Sequence, residues 1–401
     1  MRGFLWGVKG VAYVCGVSHA DGIYGSFTLV EVADRQGLEK WLEGKPREVP
    51  IMISARVASR VFPHAINGEL ETNSRKYEST IIIARALLVS SVAAYAGTEE
   101  TKQAATTAAT AFDANTAYVS TDAAAYSVSV TATVFAAVTT AGTTAAFAAA
   151  AAATTATTAA FISDAAWMEI SKELTAFDEG LEIEEVLGLP LWAGENPLAE
   201  LWQEMRAYLN GEPVNWSFWI DWYQRILDGS PQNWEMLEEI ALIDPEDWDK
   251  GAEHVNGMIA GIQARYAVKE TVEAAQKVLT EYPVAAAQMG HNNPPEDIED
   301  DLFTDEDAVF VQKMLDDIGE ESESIEPDVS RLRTAADGLG AVIRKISVWL
   351  AKVSGTAFFG TLATSAVMKV DDPLFAYLKK LSEALQPVIE AIGKWLPFIG
   401  G

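Results

Sequence analysis

Residues 196–245 read NPLAELWQEMRAYLNGEPVNWSFWIDWYQRILDGSPQNWEMLEEIALIDP. Asn196-Pro197 is a helix start, because the fixed φ of proline suits the first turn and its missing N–H is not needed there. Leu198, Leu201, Trp202, Met205 and Leu209 then recur at helical spacing, and Gly211 stops the run. A second helix begins at Trp216, carries Trp219, Ile220, Tyr223, Ile226 and Leu227 on one face with Trp222 beside it, and ends at Gly229 and Pro231. Asn233 caps a third helix bearing Leu237, Ile240 and Ile243, which Asp244-Pro245 closes. Three helices in so short a run, each with its own start and stop, define an α-helical domain.

Eight of the twelve tryptophans lie between residues 164 and 282. Aromatics beside a carboxylate, as in Trp219-Ile220-Asp221-Trp222-Tyr223, are the equipment of a sugar or cation site. The helical stripe accounts for most of them as core, leaving Trp222, off the stripe, as the candidate for a surface or interface contact.

Upstream, Leu38, Trp41 and Leu42 share a helix face that Gly44 ends, and residues 51–62 repeat apolar side chains at helical spacing until Pro63 closes the helix. Arg56 and Arg60 stand one turn apart there. Paired arginines can grip a phosphate or carboxylate ligand, but on a helix they more often meet acidic neighbours or solvent, which is the reading favoured. Between Ala104 and Ala160, 40 of 57 residues are Ala or Thr, and no charge occurs from Ala123 to Ser163. That stretch is long enough to span a bilayer yet lacks the Leu, Ile and Phe that make insertion favourable, so it reads as long, closely packed helices broken at Gly97 and Gly142. At the N-terminus, Arg2 and Lys9 precede the apolar run Val11–Val17 and the small-x-small triplet Ser18-His19-Ala20, the form of a cleaved signal. The run is short and interrupted by Gly16, which favours two strands, the second over Phe27–Val32.

Downstream, residues 283–328 contain Asn292-Asn293-Pro294-Pro295 and an acidic run, and read as a linker with one short helix over Ala308–Ile318. The acidic side chains there lack the turn glycine and spacing of a calcium loop. In the tail, Leu332, Leu339, Val342, Ile343, Ile346, Trp349 and Leu350 form one apolar face. Asp372-Pro373 opens a last amphipathic helix carrying Leu374, Leu378, Leu381, Leu385, Val388 and Ile392, in which Pro387 should introduce a kink. Its basic side chains, Lys379, Lys380 and Lys394, with Trp395 at its end, suit a membrane interface or a partner helix.

The expected fold is therefore mainly α and multi-domain, with any strand confined to the first 35 residues. Five segments are expected: 1–36, where any β structure would lie; 37–163, with long Ala/Thr-rich helices; 164–282, acidic and Trp-rich; the linker 283–328; and the basic tail 329–401. Charge follows the same divisions, with nets of −1 over residues 1–161, −18 over 162–295, −14 over 296–328 and +4 over 329–401. A total of −29 argues against nucleic acid as a partner, since neutralising phosphates needs clustered Lys and Arg. The single cysteine, Cys15, excludes an intramolecular disulfide and any zinc site of several thiolates.

The run Trp216–Gly229, with Leu191-Trp192 and Asn196-Pro197 before it and MGHNNPPE at 289–296 after it, resembles segments of uncharacterised bacterial proteins associated with prophages and other mobile elements. The resemblance covers roughly residues 160–300; it implies a bacterial mobile-element or phage-defence setting and carries over no catalytic residue. No nucleophile elbow, Walker loop, dinucleotide glycine run, H-E-x-x-H or C-x-x-C is present. No catalytic, cofactor or metal residue is assigned, and an enzyme would need a site assembled from distant residues. The expected role is a non-enzymatic, cytoplasmic interaction or assembly protein with a protein partner or itself. The alternative is a membrane-active effector using residues 329–401.

Overall fold

The structure is a computed structural model and describes residues 30–72, 76–115, 162–282, 303–353 and 373–399. Among the described residues all regular structure is helical, in fourteen α-helices and a closing 3-10 turn at Leu396–Phe398. Most of the expected β segment and the Ala/Thr run beyond Asn115, including Gly142, lie outside the described residues. The described end of the second expected strand, residues 30–32, has no regular structure and pairs with no strand among the described residues. Val30 and Val32 donate their N–H groups to Thr175 Oγ1 and Ser171 Oγ at 2.9 and 3.1 Å, and Ser171 returns its hydroxyl to the Val32 carbonyl.

The N-terminal core is built on α1 (Arg35–Leu42), α2 (Glu48–Thr72), α3 (Lys76–Tyr95) and α4 (Glu99–Asn115). Asp34 caps α1 by accepting the Gly37 N–H at 2.8 Å. Helix α3 is apolar on every side, as a helix surrounded by others must be. Ile81, Ile83, Leu87, Leu88, Val89 and Val92 are all buried between α2 and α4. It is the one helix among the described residues long and apolar enough to cross a membrane, and 83% of its apolar window is buried inside the protein. Gly97, at φ +56°, makes the break before α4.

Helix α2 does not end at Pro63 but continues to Thr72. Proline lacks the N–H that would bond the carbonyl four residues earlier, that of Ser59. Here the Tyr223 hydroxyl donates to that carbonyl at 2.9 Å, from a buried position. A side chain from another helix thus satisfies the acceptor that proline orphans, and the helix survives.

Around this set wrap α5 (Ser163–Asp178), α6 (Ile183–Leu187), α7 (Ala199–Gly211), α8 (Ser217–Asp228), α9 (Trp234–Ala241) and α10 (Pro245–Trp248). The stops and caps follow the sequence closely. Gly229 ends α8 in the left-handed region at φ +64°, and Asn233 Oδ1 accepts the Met236 N–H at 3.0 Å. Helix α9 ends at Ala241, short of the expected stop at Asp244-Pro245, and Asp244 instead caps α10, accepting from Glu246 N–H at 2.8 Å.

Helix α11 (Ala252–Leu279) joins two cores. Val255 and Ile259, near its start, belong to the N-terminal core; Val268, Val272, Ala275 and Leu279 belong to a second core, with α12 (Asp305–Glu323), α13 (Val329–Val353) and α14 (Pro373–Trp395). Helix α14 packs extensively along α11 and continues through Pro387. The short helix expected inside the linker is longer and structural. Thr304 and Asp307 form a reciprocal capping box, and Val311, Met314, Leu315 and Ile318 are buried against α11 and α13. Residues 303–323 therefore belong to the C-terminal core; an acidic composition hid an apolar stripe at helical spacing.

Candidate functional site

Arg56 and Arg60 lie one turn apart on α2, and both are inside the protein, at 2% and 0% exposure. Glu173 of α5 lies between them. Arg56 Nε donates to Glu173 Oε1 at 2.5 Å, and Arg60 Nη2 donates to the same oxygen. Arg60 Nη1 faces the other carboxylate oxygen at 3.4 Å, Arg60 Nε has no acceptor, and the other donors take backbone carbonyls of residues 187–191. Arg56 reaches Leu187, Leu189 and Pro190 at 3.2–3.3 Å, and Arg60 Nη2 reaches Leu191 at 3.1 Å. The Arg60 guanidinium also lies 5.6 Å from the Trp192 ring centroid. The pair therefore grips a carboxylate, as its spacing allows, but an internal one, and it pins residues 187–191 to α2.

The charges set each other's state. Burial alone would raise the Glu173 carboxyl, but the two guanidiniums outweigh it and hold Glu173 below the usual carboxylate range. Burial lowers Arg56, against the opposing pull of Glu173. Glu169, one turn earlier and also buried, accepts the Ala193 N–H at 3.2 Å and pairs with Lys172 at 2.7 Å. This centre is full, with no room for a ligand's anion.

Trp222 is not a surface residue: it is 3% exposed, 5.8 Å from Trp219 and 6.5 Å from Phe218 by ring centroids. The first turn of α8 is buried on more than the predicted stripe, because helices pack against it from several sides. Trp219 donates its indole N–H to Asn256 at 2.9 Å, so the aromatic group is core with its polar atom satisfied. In the tail, Lys379, Lys380 and Lys394 are exposed, and Lys380 pairs with Glu281 of the neighbouring segment at 2.7 Å. Trp395 is 4% exposed and faces the C-terminal core, not an interface. His254 meets Asp247 at 2.9 Å on the surface, and no group of three or more metal-ligating side chains occurs among the described residues.

Several buried side chains among the described residues keep an unpaired polar atom, and Arg85 is one that borders a cleft. A cleft of 410 Å³ opens where α3 and α4 face the α9–α10 connection, lined by Arg85, Glu99, Glu100, Leu242, Ile243 and Pro245 among others. Arg85 is 3% exposed, and its Nε and Nη2 are buried without any acceptor. Its guanidinium carbon lies 4.6 Å from the centroid of the Trp248 ring.

No protein family matches the chain, and comparison with curated proteins and with solved structures finds no match. Sequence reading picked out Arg56 and Arg60 but missed Glu173 and Arg85. Both omissions left a trace: Glu169 and Glu173 share the helix face of Ala166, Ile170 and Leu174, and Arg85 is the single charge inside the apolar run of α3.

Proposed function

We propose that the chain is a helical interaction or assembly protein, acting by contact between protein surfaces rather than by catalysis. The bacterial mobile-element or phage-defence setting follows from the resemblance around Trp216–Gly229. One observation carries the reading: four large apolar side chains left in water, Val309, Phe310, Ile325 and Val348, at 70%, 42%, 100% and 51% exposure, lie on α12, on α13 or between them. Scattered exposed apolar residues are ordinary, and the concentration of four of the nine large apolar side chains exposed among the described residues on this one helix pair favours it as a contact surface.

Sedimentation of the full-length protein over a range of concentrations tests this. The native chain should associate, and the double substitution Val309→Glu with Val348→Glu, at two exposed positions, should keep it monomeric. Identical behaviour of the two would count against the reading. A membrane role for residues 329–401 would require α14 to leave its core, since Leu378, Leu381, Leu385, Val388 and Trp395, the side chains an interface would take up, are already buried. Leakage of anionic vesicles caused by the full-length protein would favour that alternative.

A further inference from the structure

Arg56 and Arg60 of α2 show how a buried guanidinium is compensated in this protein: a shared carboxylate and four backbone carbonyls, with only Arg60 Nε left without an acceptor. Arg85 has none of this. Asp249 acts on it through space without an ion pair, and the face of Trp248 covers one side of the guanidinium. Burial pushes Arg85 down to about 10, which still leaves it charged at neutral pH. An unpaired cation inside a fold is destabilising unless something completes it.

We propose that the cleft at α3, α4 and the α9–α10 connection binds a singly charged carboxylate with an apolar body, the carboxylate set against Arg85. The site lies outside the helix pair assigned to protein contacts, so it goes beyond that reading. At 410 Å³ the cleft falls within the span of small-molecule sites, roughly 300–1,000 Å³. Its walls fix the ligand class. Ala104, Leu242, Ile243 and Pro245 are apolar, and Gln103 and Thr107 are neutral hydrogen-bonding groups. The other charged side chains lining it are Glu99 and Glu100, both exposed at the rim, and Glu99 pairs with Lys102. Phosphate esters and dicarboxylates, bringing two or more negative charges past those carboxylates into a chain of net charge −29, meet repulsion that one cation does not offset. A neutral ligand could offer an acceptor but would leave the charge of Arg85 uncompensated. A monocarboxylate with a hydrocarbon body satisfies the guanidinium and covers the apolar wall together.

Calorimetric titration of the full-length protein with octanoate, octanamide and octyl phosphate is the test. Octanoate should saturate a single site below about 1 mM, with the amide and the phosphate at least about tenfold weaker. Arg85→Met should lose octanoate binding by a similar factor while its melting temperature holds or rises, because an apolar side chain then replaces an unpaired buried cation. Thr107→Phe, which fills the cleft and keeps the arginine, should weaken octanoate as well and decides the matter if the first variant does not fold. The proposal is overturned if the native protein shows no saturable octanoate binding, if octanamide binds equally well, or if both variants bind as the native protein does.

Discussion

Glu173 neutralises two cations that have no solvent to turn to. Its replacement by glutamine keeps the shape but leaves both guanidiniums uncompensated, and should destabilise the protein by about 3–5 kcal/mol in chemical denaturation. Replacing Arg56, Arg60 and Glu173 together with apolar residues of similar volume should restore much of that loss, which would show that the triad specifies the position of residues 187–191 more than it adds stability. The carboxyl is held below its unfolded value, so the stability it contributes is present above the ordinary carboxylate range and is lost as pH falls through the depressed folded value. Thermal melts from neutral to acid pH should therefore converge for the native protein and Glu173→Gln at the acid end. The arginine spacing was legible in one dimension. Its partner was not, because residues more than a hundred positions apart are joined only by the packing of α5 on α2.

Among the elements, α2 shows where local rules stop deciding. Pro63 is a helix breaker by chemistry, yet its cost is concentrated in one orphan carbonyl, and Tyr223 supplies the missing donor. Tyr223→Phe should cost about 1–3 kcal/mol, and clearly less in a Pro63→Ala background, where the backbone N–H of residue 63 again reaches Ser59. A double-mutant cycle in urea measures this coupling. The turn after α8 makes the opposite point, since there the sequence signal was sufficient. Gly229 sits at φ +64° with the Pro190 nitrogen only 2.4 Å from where a Cβ would stand. Gly229→Ala should therefore destabilise by on the order of 2–4 kcal/mol, from backbone strain and a clash with backbone that cannot swing aside. Caps and stops were readable at Gly97, Gly229 and Asn233 because each acts within a few residues. The length of α2 and the packed role of α12 were not, because both depend on distant partners.

For the molecule as a whole, the net charge of −29 and the pairing across two cores act in opposite directions as salt rises. Surface pairs such as Lys380 with Glu281 weaken by screening, while the repulsion among unpaired carboxylates is relieved. Repulsion is the larger sum here, so the melting temperature should rise as ionic strength goes from about 0.01 M to about 0.15 M. A fall would show that the ion pairs dominate. The two cores are not separable at the boundary that composition suggested, because α11 contributes to both.

That sharing has a consequence for the order in which the chain is made. A ribosome releases the first half of α11 into a core that is already complete, but the second half emerges with Val268, Val272, Ala275 and Leu279 facing nothing. Their partners on α14 are still unsynthesised, with more than a hundred residues to go before Trp395 appears. At about 5–20 residues per second, the apolar stripe waits on the order of ten seconds for its cover. Nascent chains halted between residues 280 and 373 should be the form most readily held by chaperones, and a slow codon placed in that interval should reduce the yield of native protein more than one placed before residue 252.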